Sequence, residues 1–205
     1  MGLVKLNDRG VRSATTFGSL NTGSMTFIKK LTASSSATLS FVDGASDVVL
    51  DDTYKEYLFT FKDIHPETDA ASLTFNMSID SGSNYNVTKT TTLFRSIHKE
   101  DDSDYNFSYR AGEDTAQGTG FQHLHTNSGN DNDQCMAGYM HLFNPSDTTF
   151  IKHFISRMQS AAEADWSQEF YAAGYGNTTS AVDAIQFKMS SDAMDAGDIC
   201  LYGIK

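Results

Sequence analysis

Residues 181–205 read AVDAIQFKMSSDAMDAGDICLYGIK. Ile185, Phe187 and Met189 alternate with Gln186 and Lys188, and after the polar stretch at 190–198 the alternation resumes with Ile199, Leu201 and Ile204. A period of two is the mark of a strand with one buried face, so the segment predicts a β-hairpin with a single apolar side. Its last strand has free backbone N–H and C=O groups on both flanks. They need partners, which places this strand inside a sheet built by earlier residues.

Working back from that strand, the same pattern recurs along the chain. Leu73, Phe75, Met77 and Ile79 form one face of an alternating tract, and Tyr57, Phe59 and Phe61 one face of another with the character of a central strand. Further strands are predicted from Met25, at Leu39–Val42, at 48–50, across 87–97, at Tyr105–Tyr109, and at Met136–Phe143 with its return over 149–158. Turn chemistry separates them: Asp43-Gly44, Asp51-Asp52, Asp80-Ser81-Gly82 and Asn144-Pro145-Ser146-Asp147. Residues 160–165, SAAEAD, are the one place where a short helix is expected, and 166–173 return to strand character. Residues 111–133 predict a long surface loop with a brief extended piece around 121–125, the kind of segment in which binding function concentrates.

With 205 residues, 14 Phe and 9 Tyr but 2 Pro, the chain suits one large β domain. The expected fold is all-β, an antiparallel jelly-roll-like β-sandwich over residues 25–205, preceded by an extended arm over residues 1–24. That arm is polar and punctuated by Gly and Ser. It carries Lys5, Arg9 and Arg12 together with Leu3, Val4, Leu6 and Phe17, a combination suited to docking on a partner surface.

The net charge of −11 argues against nucleic acid and anionic membranes, which call for a basic surface. Cys135 and Cys200 are too few for a disulfide framework and are expected as buried free thiols. The first residues hold no apolar signal-peptide core, so the Asn-X-Ser/Thr matches at Asn76, Asn86, Asn106 and Asn177 are read as chance.

Candidate chemistry is sparse. His123 and His125 are two apart, so a regular strand would present both imidazoles on one side, where three pairs around a trimer axis could ligate a metal. The plainer meaning is a loop pair with no metal. Asp131 and Asp133 sit in an Asn/Asp run that could offer oxygens to calcium but lacks the spacing of a calcium loop, and a solvated turn is its ordinary meaning. No Gly-rich phosphate loop, nucleophile elbow or cysteine cluster occurs, so no enzyme activity and no cofactor are expected. Tyr85, Tyr105, Tyr109 and Trp166 lie near polar loops where aromatic rings could stack on sugars. A candidate ligand loop thus comprises Tyr105, Tyr109, His123, His125, Asp131 and Asp133.

Four runs carry a resemblance: FIKKLTASSSATLSFVDGASDVVLDDTYKEYLFTFKDIHP (27–66), SGSNYNVTKTTTLFR (81–95), HLFNPSDTTFIKHFI (141–155) and AGYGNTTSAVDAIQFKMSSDAMDAGDICLYGIK (173–205). Together they resemble small virion structural proteins of marine tailed bacteriophages. The resemblance implies a non-enzymatic β-sandwich on the particle surface, as capsid decoration or as a tail or fibre component. Such a protein is made in the host cytoplasm and assembled into the virion, with other virion proteins as partners. A homotrimer attached through the arm is the expectation. The alternative is a receptor-binding module that recognises a host-surface glycan through loops of the sandwich.

Overall fold

The computed structural model describes residues 24–205. The arm residues Leu3, Val4, Lys5, Leu6, Arg9, Arg12 and Phe17 lie outside the described residues. The described chain forms twelve strands: β1 (Met25–Ser36), β2 (Leu39–Val42), β3 (Glu56–Pro66), β4 (Leu73–Ser78), β5 (Lys89–Lys99), β6 (Tyr105–Tyr109), β7 (Gln122–His123), β8 (Met136–Phe143), β9 (Lys152–Ala162), β10 (Trp166–Gly176), β11 (Ala184–Met189) and β12 (Met194–Ile204). No helix occurs among the described residues. Two antiparallel sheets face each other, one in the order β1-β12-β3-β8-β9-β10-β5-β6 and the other in the order β2-β11-β4-β7. The fold is an all-β sandwich of eight strands against four, where a jelly roll divides eight strands between its two sheets.

The strands form where alternation provides an inner face. Along β9, Lys152, Phe154, Ser156, Met158, Ser160 and Ala162 are buried while the residues between them are exposed or half-buried. Phe187 on β11 is the hub of the core. Its ring meets those of Phe59 and Phe61 from the large sheet at 5.3 and 5.2 Å, and those of Phe41 and Phe75 from its own sheet at 6.3 and 6.4 Å. As the alternation predicts, Phe59, Phe75, Phe187 and Leu201 are fully buried.

The final strand does lie inside a sheet, between β1 and β3. The hairpin expected over 181–205 does not form: β11 pairs with β2 and β4, whereas β12 belongs to the opposite sheet. The four residues at 190–193 carry the chain across the core, so the apolar sides of the two strands look toward each other instead of lying side by side. At the end of β12 the inward position falls to Gly203 rather than Ile204. A side chain at Gly203 would collide with the Tyr54 ring, which fills that space.

Three further expectations are corrected. The helix at 160–165 is absent because β9 runs on to Ala162 and turns into β10 through Glu163, Ala164 and Asp165, with Ala162 opposite Trp166. Residues 48–50 are not a strand. Val48 and Leu50 plug the sandwich from a loop whose backbone is held by the Asp43 carboxylate, which accepts from the Leu50 N–H at 2.8 Å. Strand β4 stops at Ser78, leaving Ile79 exposed on the following turn.

The long segment 111–133 is mainly loop with a brief strand, as predicted, but much of it is interior. Leu124, His125, Thr126 and Ser128 are all buried. The smaller sheet has only four strands, and this segment covers part of the inner face of β5, β9 and β10 that those strands leave open. Its backbone is tied to β5 by the paired N–H and C=O groups of Lys89 and Gly118, and to residue 71 through the Ser128 N–H.

Candidate interaction surfaces

The large sheet has an outer face that no other element of the described chain covers. Strand alternation places on it Met25, Phe27, Tyr139, Ile155, Tyr105, Phe107 and Tyr109, all exposed, with Phe94, Tyr171 and Tyr202 half-buried among them. The aromatic density peaks at the β6 edge, where Tyr105, Phe107 and Tyr109 are 77%, 68% and 53% exposed. Behind them Phe94 stacks on Tyr171 at 4.9 Å and tilts against Phe107 at 5.3 Å, so the cluster is a packed ridge. Between β5, β9 and β10 the face sinks into a groove of ≈ 470 Å³ lined by Thr90, Thr92, His153, Ile155, Ala173 and Tyr175. The outward residue on β10 at the floor of the groove is Ala173, whose small side chain leaves it open.

The electrostatics of this face differ from those of the whole chain. Of the carboxylates that strands place on it, Glu56, Glu169 and Asp198 are each held by a basic side chain. Glu56 meets His141, Glu169 meets Arg157, and Asp198 meets Lys30 at 3.1 Å. Arg157 also lies over the Tyr171 ring at 5.2 Å, and the Glu169 contact holds its guanidinium above the ordinary arginine range. Part of the carboxylate charge on the face is thus met locally, in a chain of net charge −11.

The sequence-predicted ligand residues fall in separate places. Tyr105 and Tyr109 belong to the β6 edge. The Tyr109 hydroxyl donates to Asp114 at 2.5 Å, which raises its pKa. Asp131 and Asp133 lie on a distant turn where the Asp131 carbonyl sits 3.2 Å from His65 Nε2. His123 ends β7, the edge strand of the smaller sheet, and His125 follows it in the long segment. The N–H groups of Leu124 and His125 both point at the Leu73 carbonyl, so the ladder breaks directly after His123 and strand parity no longer sets the two rings on one side. His125 is fully buried, with Nε2 2.6 Å from Ser160 Oγ and its ring edge-on to Phe170. Burial, reinforced by the Arg95 cation, pushes its pKa down to about 3, and burial also lowers that of His123. A ring enclosed in this way is not presented to an ion on a trimer axis. No cluster of metal-ligating side chains is found among the described residues.

Along the inner side of β5 the interior is polar. Lys89 is buried, donates to Asn76 Oδ1 at 2.6 Å and to the residue 87 carbonyl at 2.8 Å, and is driven by desolvation down to about 8. Thr91 and Thr115 both donate to Gln122 Oε1, at 2.6 and 2.8 Å. These bonds fasten the long segment to the sheet. At one end the polar layer opens to solvent as a cleft of ≈ 330 Å³, with Arg95, Ile97, Trp166 and Gln168 inside and Asn127 and Glu163 at the rim.

The sequence reading singled out Tyr105 and Tyr109 but missed Phe94, Phe107, Tyr139, Ile155 and Tyr171 as parts of one surface, because it looked for exposed rings only near polar loops. The available signal was that strands such as β5 and β10 carry bulky residues in both parities. Cys135 and Cys200 are free, as expected, but only partly buried.

The class defined by these features is an all-β sandwich with one large aromatic face that no other described element covers. Comparison of the chain with protein-family models, curated proteins and solved structures finds no match.

Proposed function

We propose that the chain is a non-enzymatic structural component of a tailed phage particle, in which copies pack against one another through the outer face of the large sheet and attach to the particle through residues 1–24. The observation that carries this reading is the aromatic face itself. Exposed apolar patches of this kind mark sites of association, and an open edge strand rimmed with Tyr and Phe is a hazard unless a neighbour covers it. A second copy is the occupant the chemistry favours. Two chains of net charge −11 repel least where carboxylates already have basic partners, as Glu56, Glu169 and Asp198 do on this face. The ridge at Tyr105, Phe107 and Tyr109 and the groove at Ala173 provide a projection and a hollow on the same surface. A closed ring of copies, with three as the proposed number, would cover face and edge together.

The reading is tested on purified particles of the phage that encodes the chain. Antibody raised against residues 25–205 should label the particle surface, and a chain lacking residues 1–20 should fold with an unchanged melting temperature but fail to join particles. Unlabelled particles, or normal incorporation of the truncated chain, would contradict it.

A further inference from the structure

The cleft at the end of the sandwich bears no relation to the aromatic face and is built unlike a packing defect. Its lining is mixed: Trp166 and Ile97 supply an indole and an aliphatic surface, and Arg95 and Gln168 supply polar groups. Gln168 is only 4% exposed, yet its Oε1 finds no hydrogen-bond partner among the described residues, and neither does the buried Nε of Arg95. Arg95 forms no ion pair among the described residues. Its neighbours Arg110 and Glu113 are engaged with each other, and its guanidinium rests 6.0 Å from the Phe170 ring centre. A half-buried cation without a counter-ion is costly unless something outside the chain completes it.

We propose that this cleft binds a carboxylate-bearing sugar, one residue of an acidic saccharide. The guanidinium of Arg95 takes the carboxylate, for which its forked donors are matched. The indole of Trp166 takes the C–H face of the ring, as aromatic side chains with one wet side do. Gln168, Asn127 and Glu163 offer acceptors and donors to the hydroxyls, and the Glu163 carboxylate at the rim disfavours ligands of higher negative charge such as phosphate esters. The volume of ≈ 330 Å³ admits a single sugar ring, not a chain. A neutral hexose would leave Arg95 unpaired, and a simple carboxylate would make no use of the indole, over which Lys99 Nζ lies at 6.0 Å.

The chain contains a single tryptophan, so indole emission, excited at wavelengths that tyrosine does not absorb, reports on this cleft. Titration with glucuronate and with an oligogalacturonide should change the emission saturably. Glucose and acetate should bind at least about tenfold more weakly, the scale expected when a site built for a polar group meets a ligand lacking it. R95Q removes a buried charge and is expected to fold. It should weaken glucuronate binding about tenfold or more and abolish its salt dependence. Q168A, a second and milder variant, should weaken it several-fold. Saturation by the oligogalacturonide but not by glucuronate would assign the site to polymer rather than free sugar acid, within the same chemistry. No saturable change with either acidic sugar, equal binding of acetate, or unchanged affinity in R95Q would overturn the proposal. These outcomes are independent of whether the chain is a particle component.

Discussion

Phe187 joins the two layers through four other phenylalanines, so its removal leaves a hole that neither sheet can close alone. Phe187→Ala should lower stability by about 3–5 kcal/mol in denaturant unfolding, and a loss below about 1 kcal/mol would mean the core collapses around the gap. His125 makes a different prediction. Its folded value of about 3 lies far below the ordinary 6.5, so the native state refuses a proton that the unfolded chain accepts. Stability from this residue is complete above pH 6.5 and is lost as pH falls from there toward 3. Relative to His125→Leu, the wild-type chain should therefore weaken steadily on acidification across that window, and parallel stability curves would contradict it. At neutral pH the variant should cost about 1–3 kcal/mol, because Ser160 Oγ loses its partner. Phe187 was legible in the sequence because alternation marks an inward position whichever strand lies beside it. His125 was not, because its burial comes from where a long loop travels, and nothing in the run at 121–133 states that path.

At the scale of elements, strand existence was legible and strand partnership was not. Ile185, Phe187 and Met189 alternate just as they would in a hairpin with β12. Two apolar faces that meet across a sandwich produce the same sequence pattern as two that share one side of a sheet, and a four-residue connection can serve either geometry. The β9–β10 turn was misread for a related reason. Ala and Glu favour helix locally, but the β9–β10 ladder, which closes on Ala162 and Trp166, overrides that preference. This turn holds Ala164 and Asp165 in the left-handed region, each at φ 63°. A Cβ in that region is penalised by about 1 kcal/mol, so Ala164→Gly should stabilise the chain by up to that amount in thermal unfolding. A loss of stability would show that the turn is set by contacts of the Ala164 side chain.

For the whole molecule, the composition announced a β-protein of high aromatic content and high negative charge, but not that the two properties are segregated. Acidic residues crowd the turns, as at Asp51-Asp52 and Asp101-Asp102, while the large sheet holds Glu56, Glu169 and Asp198 against basic side chains and exposes its rings. That arrangement keeps particles of the protein apart in most orientations and allows them to meet in one. The most direct test is sedimentation velocity of the full chain and of a variant carrying Phe107→Ser, Tyr109→Ser and Ile155→Ser, outward substitutions that leave the inner faces of β6 and β9 untouched. The wild-type chain should sediment as a closed oligomer, with three copies proposed, and the variant as a folded monomer with an unchanged melting temperature. A wild-type chain that remains monomeric at micromolar concentration, or a variant that assembles as the wild type does, would contradict the assignment of the aromatic face as the contact between copies.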